Sequence, residues 1–149
     1  MRFTIAAVLL MLPSSVEAGE LRVTVDGIRS PHGTVLIGLY DSAGSFEKAV
    51  ESSAEEGFLI DPDRFGAVAL RANAALRSAV VFSNLAPGRY AAIAFHDENG
   101  NGKLDTNLMG MPIERYGFSN DAKGNRAAPD FEAAAIAVDA DLQTVIHLR

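Results

Sequence analysis

Short apolar runs with strand character, each closed by turn residues, constrain this chain more than any other feature. Leu21, Val23 and Val25 alternate with Arg22, Thr24 and Asp26, the period-two pattern of a strand with one buried face. Ser30-Pro31-His32-Gly33 is turn chemistry, since Pro fixes φ and Gly accepts positive φ. Thr34 to Tyr40 follows as a β-branched and aliphatic strand. The short connection predicts a hairpin between these two. Residues 61–75 are ambiguous, with Val68 and Leu70 suggesting an edge strand. Further strands are predicted over 76–82, 89–95, 133–138 and 142–148. Turns fall at 84–88 and at Asp139-Ala140-Asp141, which would join the last two strands. Phe46, Ala49, Val50 and Ala54 fall at helical spacing, with Ser42 or Ser45 as cap, and predict one short surface helix. There is no internal repeat and no strand–helix alternation to support a parallel sheet. The predicted class is all-β: an antiparallel seven-stranded sandwich with one short helix and a long Gly/Asn-rich loop.

The first 18 residues read as a leader outside that fold. Arg2 precedes an uncharged apolar run from Phe3 to Leu12, Pro13 breaks it, and Val16-Glu17-Ala18 is a small-x-small cleavage pattern. The run is too short for a membrane span. Cleavage after Ala18 would leave residues 19–149 as a single domain in the periplasm or outside the cell. Without cysteine, disulfides cannot brace that domain even on an export route that permits them. A bound metal is another way to hold a long loop. The net charge of −6 argues against nucleic acid and anionic headgroups as partners. The expectation is a monomer without membrane insertion, meeting a protein, small-molecule or glycan ligand in the cell envelope.

The most specific motif opens the long loop. In Asp97-Glu98-Asn99-Gly100-Asn101-Gly102-Lys103-Leu104-Asp105, side-chain oxygens recur at alternate positions. Calcium takes six to eight oxygens, and this spacing wraps Asp97, Asn99, Asn101 and Asp105 around one centre. Gly102 is sixth, where a sharp turn is needed; the Lys103 carbonyl is a seventh-position ligand; Leu104 at the eighth can anchor the loop. The twelfth position is Leu108, where a bidentate Glu would complete an EF-hand loop. Either Glu114 folds back to serve, or the site is weak and water-filled. Arg89 to Phe95 alternates as a strand, so no entering helix precedes the loop. The metal-free alternative is an Asx- and Gly-rich turn. An all-oxygen donor set selects calcium or another hard cation.

Tyr116 and Phe118 further along the loop are either ligand contacts or, as favoured here, anchors that pin it to the core. No catalytic residue is assigned and no enzymatic activity is expected. His32, His96 and His147 lie far apart in sequence, and neither a G-x-S-x-G elbow nor an H-E-x-x-H pair occurs. The alternative is a small hydrolase or carbohydrate-active domain using Glu114 with Glu98 or His96. It requires a pocket that gathers those side chains.

Three stretches carry a family resemblance: Gly33-Thr34-Val35 with Leu39-Tyr40-Asp41, Leu85-Ala86-Pro87-Gly88-Arg89-Tyr90, and above all Phe95 through Asn120. With them the chain resembles the bacterial exported family known as domain of unknown function 2141. The resemblance implies an exported protein with no assigned activity. Leu-x-Pro-Gly-x-Tyr is also similar to the transthyretin-like and collagen-adhesin B-type sandwiches, in which the Gly allows the tight turn and the Tyr begins the next strand. Adhesin repeats of that kind often carry a D-x-N-x-N-G loop. This likeness implies a metal role for Asp97, Asn99, Asn101, the Lys103 carbonyl and Asp105, with Leu108 departing from the pattern.

Overall fold

The computed structural model describes residues 17–55, 66–71, 73 and 75–149. The expected leader, apart from its last two residues, lies outside them. The chain runs β1 (Gly19–Asp26), β2 (Thr34–Tyr40), α1 (Ala43–Ser52), β3 (Gly66–Arg71), β4 (Arg77–Leu85) and β5 (Gly88–Asp97). It continues with β6 (Tyr116–Phe118), a 3-10 turn (Ser119–Asp121), α2 (Phe131–Ala134), β7 (Ile136–Val138) and β8 (Leu142–His147). The all-β class holds, with eight described strands where seven are expected. The additional strand is the three-residue β6, inside the stretch read as loop. A second helical turn, α2, opens the segment read as the penultimate strand.

The strands form two sheets, ordered β4-β1-β8 and β3-β2-β5-β6, with β7 also paired to β5. The expected β1–β2 hairpin is absent. β1 pairs with β4 and β8, whereas β2 pairs with β3 and β5, so residues 27–33 cross from one sheet to the other. A short connection sets the distance between two strands but not their partners. The closing pair differs in the same way: β7 joins β5 and β8 joins β1. The β1–β8 ladder is parallel, which corrects the wholly antiparallel expectation. At Leu85-Ala86-Pro87-Gly88 the chain also changes sheets. The left-handed residue nearby is Asn84, at φ 60°, and not Gly88. Tyr90 donates its hydroxyl to the Ala86 carbonyl at 2.8 Å, which fixes the entry into β5.

Two cores result. Between the sheets lie Leu21, Val23 and Val25 of β1, Val35, Ile37 and Leu39 of β2, and Ile146 of β8. Leu36, Tyr40, Ile93 and Phe95 point to the outer face of the second sheet, where Phe46, Phe118 and Phe131 cover them. That is why β1 alternates, whereas β2 is buried from Val35 to Tyr40. A strand covered on both faces has no polar face to show. The helix α1 forms as its spacing predicts: Ser42 caps it by accepting from Ser45 N, and Phe46 and Ala49 are buried. Phe46 stacks edge-on against Tyr40 and Phe131, with ring centroids 6.2 and 6.0 Å away.

Candidate functional site

The 97–105 loop leaves the end of β5, and its conformation follows from one buried carboxylate. Asp97 is 2% exposed. Its Oδ1 accepts from the backbone N–H of Gly100 and Asn101 at 2.7 and 3.1 Å, and its Oδ2 from Gly102 at 2.8 Å. Gly100 and Gly102 adopt φ of 76° and 77°, the left-handed region that a side chain disfavours. Two successive Asx turns continue the winding. Asn99 Oδ1 accepts from Asn101 N and Asn101 Oδ1 from Lys103 N, each at 3.1 Å.

The loop brings together the residues singled out from sequence. Asn99 and Asn101 donate their carboxamide N–H to Asp105 Oδ2 and Oδ1 at 2.6 and 2.8 Å. Glu114 folds back onto the loop and is 7% exposed. Its Oε1 accepts from Glu98 N at 2.8 Å and its Oε2 from Asp105 N at 3.0 Å, so it clamps the loop across its width. Burial pushes the Glu114 carboxyl above its ordinary range, opposed by those two N–H donors and reinforced by the charges of Asp105 and Asp97. Leu108, in the twelfth position, is fully exposed. Leu104 is buried in the outer core, and its N–H donates to the Ser53 carbonyl beyond α1 at 2.7 Å.

The sheet-crossing segment 27–33 closes over the same end of β5. A Cβ on Gly33 would lie 2.2 Å from the Asp97 carbonyl oxygen, so only glycine permits this approach. His96, fully buried, holds the segment from below. Its Nε2 lies 2.6 Å from the His32 carbonyl, to which it donates, and its Nδ1 accepts from Arg29 N at 3.4 Å. Arg29 Nη1 stands 3.1 Å from Glu98 Oε1 in an off-axis ion contact, since that oxygen has no aligned hydrogen bond. Arg115 reaches the Gly27 carbonyl at 2.9 Å. Sequence reasoning missed these positioning roles of His96, Arg29 and Arg115, because each partner lies more than 60 residues away in sequence, between the 27–33 connection and the far end of β5 and its loop.

A separate apolar cavity of about 510 Å³ lies between α1, β5, β6 and the segments around 104–112 and 124–128. None of His96, Glu98 and Glu114 lines it, so this cavity does not gather Glu114 with Glu98 or His96. Phe118 is 5% exposed and packs into the outer core, Tyr116 is half-buried, and both form part of the cavity wall.

A family model described as an uncharacterized protein conserved in bacteria (DUF2141) matches residues 23–146. The chain belongs to this family. The DUF2141 match runs from β1 into β8 and therefore includes both sheets, the 97–105 loop and Glu114. Comparison with curated proteins and with solved structures gives no match.

Proposed function

We propose that this DUF2141 protein is an exported, non-enzymatic binding or accessory module of the cell envelope, with loop 97–105 ordered by calcium. The observation that carries the reading is the convergence of Asn99, Asn101 and Asp105 in a loop wound around Asp97. The donor chemistry is that of a hard cation, since Asp97, Asn99, Asn101, the Lys103 carbonyl, Asp105 and Glu114 offer oxygen alone. Among the described residues, however, no three carboxylates or histidines are gathered about one point, so the loop must close further to hold the ion. Asn99 and Asn101 must turn their carboxamides to present oxygen, because their N–H groups face Asp105. Glu114 replaces the missing twelfth-position ligand from outside the motif. The two-sheet body serves as a scaffold of the immunoglobulin-like or transthyretin-like kind.

Export is supported by the basic, apolar and small-x-small pattern of residues 1–18 and by β1 beginning at Gly19, beside the expected cleavage point. The destination is the periplasm or the medium. The partner is a protein, a small molecule or a glycan.

A thermal melt of the full chain with calcium, magnesium or chelator tests the metal. With a Kd of ~10 μM, ~1 mM calcium adds about 2.7 kcal/mol by linkage, a rise of roughly 8–15 °C for a domain of this size. A calcium-selective rise that disappears in Asp105→Ala supports the site. An unchanged melt with every cation sinks it and leaves a metal-free Asx turn.

A further inference from the structure

The apolar cavity does not end at its own walls. A second cavity of about 210 Å³ shares Tyr116, Phe118, Gly124, Ala127 and Ala128 with it, so the two adjoin across these residues as two parts of one groove. The larger part has Ile93, Phe95 and Phe118 along the sheet side, with Val50, Leu104 and Met111 on the flanks. Its volume lies within the range of roughly 300–1,000 Å³ typical of small-molecule sites.

The polar residues of the groove give it a direction. Arg126 lines the larger part, and Lys123 and Arg149 line the smaller. Against these three cations the walls hold one carboxylate, Glu51 on α1. The chain as a whole has the opposite balance, 19 acidic to 13 basic residues. Arg126 and Lys123 make no ion pair among the described residues, and carbonyls of Asp121 and Ala122 hold the Arg149 guanidinium at 3.4 and 3.0 Å. Those carbonyls fix the guanidinium in place, and the nearby Asp121 carboxylate offsets part of its charge, so Lys123 and Arg126 carry most of the positive character of the groove.

We infer that this groove binds an amphipathic anion, with an alkyl or aromatic body in the larger cavity and a single anionic head toward Lys123, Arg126 and Arg149. The inference rests on the binding-module reading and names its ligand class; it does not require the metal. A fatty carboxylate is the simplest such molecule, and the same chemistry is offered by a single-chain anionic phospholipid.

Titration calorimetry on the full chain tests it, with dodecanoate, lysophosphatidylglycerol and dodecyltrimethylammonium as probes, in calcium and in chelator. Dodecanoate is expected to bind one to one, at least about ten-fold tighter than the cation of equal chain length, a margin of about 1.4 kcal/mol. Arg126→Glu should erase that preference, and Ala127→Trp should fill the groove and abolish binding without lowering the melting temperature. Tighter binding of the lysophospholipid would identify a membrane-derived ligand, and tighter binding of dodecanoate a free acid; both support the site. Equal binding of anion and cation, an unaffected Arg126→Glu variant, or association with vesicles alone through exposed Leu108 and Met109 would overturn it. A calcium-dependent melt without dodecanoate binding rejects the groove alone. Binding without any calcium effect rejects the metal alone.

Discussion

Asp97 stands at the start of the loop with both oxygens committed to backbone N–H groups. Hydrogen bonds to a charged acceptor each contribute about 1.5–3 kcal/mol, and donors left bare in a buried site cost more. Asp97→Ala is expected to destabilise the protein by about 3 kcal/mol in urea denaturation and to expose residues 97–105 to protease before the sheets. Uniform protease resistance would contradict this. Asp97→Asn retains one oxygen acceptor and should fall between. Asp121 offers a pH-dependent test. Burial alone would raise its pKa, but the His147 backbone and ring hydrogen bonds, with the charges of His147 and Arg149, outweigh that and leave it lowered. A lowered folded pKa stabilises above the ordinary aspartate value of about 3.9. That stabilisation is lost as pH falls through the folded value. Asp121→Asn should therefore be less stable than the parent at pH 7, with the gap closing in acid below pH ~4. Part of the gap should be screened at high salt, since the pair is half-exposed. A gap that stays constant with pH would show that the lost hydrogen bonds, and not the charge, matter. At this scale the winding of the 97–105 loop was legible, since side-chain oxygens at fixed spacing fold locally into Asx turns. Glu114 was legible only as one of two alternatives, because its reach depends on how residues 106–113 turn back.

At the scale of the element, spacing alone was enough to read α1. Phe46 and Ala49 on one face and Ser42 ahead of it specify a capped amphipathic helix. Phe46 contacts three rings, those of Tyr40, Phe118 and Phe131, so it ties α1 to β2, β6 and α2 together. Phe46→Ala should cost about 3–5 kcal/mol, read as a lower denaturation midpoint. It should also loosen the outer core while β1, β4 and β8 retain hydrogen-exchange protection. Equal loss of protection in both sheets would mean that the outer core is not a separate layer. Strand positions were legible for the same local reasons, but pairings were not. The β1–β2 connection looks like a hairpin because it is short. The clue against it lies in burial: β1 alternates and β2 does not, so the two cannot share one environment. β6 was invisible because Tyr116-Gly117-Phe118 is too short to show a period, and it forms by pairing with Ile93–Phe95 of β5.

For the whole molecule, the two sheets are joined along one edge by the last residues of the chain. Tyr116 N donates to the Arg149 carbonyl at 3.2 Å, and Arg149 N donates back at 3.0 Å, so β8 runs on to meet β6 across the sheet boundary. Leu148 is 5% exposed in the inner core, and its N–H donates to the Asp26 carbonyl at 2.9 Å. Close contact reinforces the seam: a Cβ on Gly117 would meet Ile146 Cγ2 at 2.8 Å. A chain stopped at His147 loses one buried leucine, worth about 1.5–3 kcal/mol, and three backbone hydrogen bonds of about 1 kcal/mol each. It should be destabilised by roughly 4.5–6 kcal/mol in urea. The slope of that transition separates two ways of failing. An unchanged slope at a lower midpoint means that both sheets still unfold together. A shallower slope means that the seam is what makes them one cooperative unit. Leu148→Ala isolates the apolar part and should retain all three backbone hydrogen bonds. If it matches the truncation, core filling alone joins the sheets; if it is milder, the backbone seam contributes as well. The seam also bears on the groove, because Arg149 and Tyr116 form it and line the smaller cavity at once. Truncation should therefore weaken anion binding beyond the loss of one charge, whereas Arg149→Gln should remove the charge and leave the seam intact.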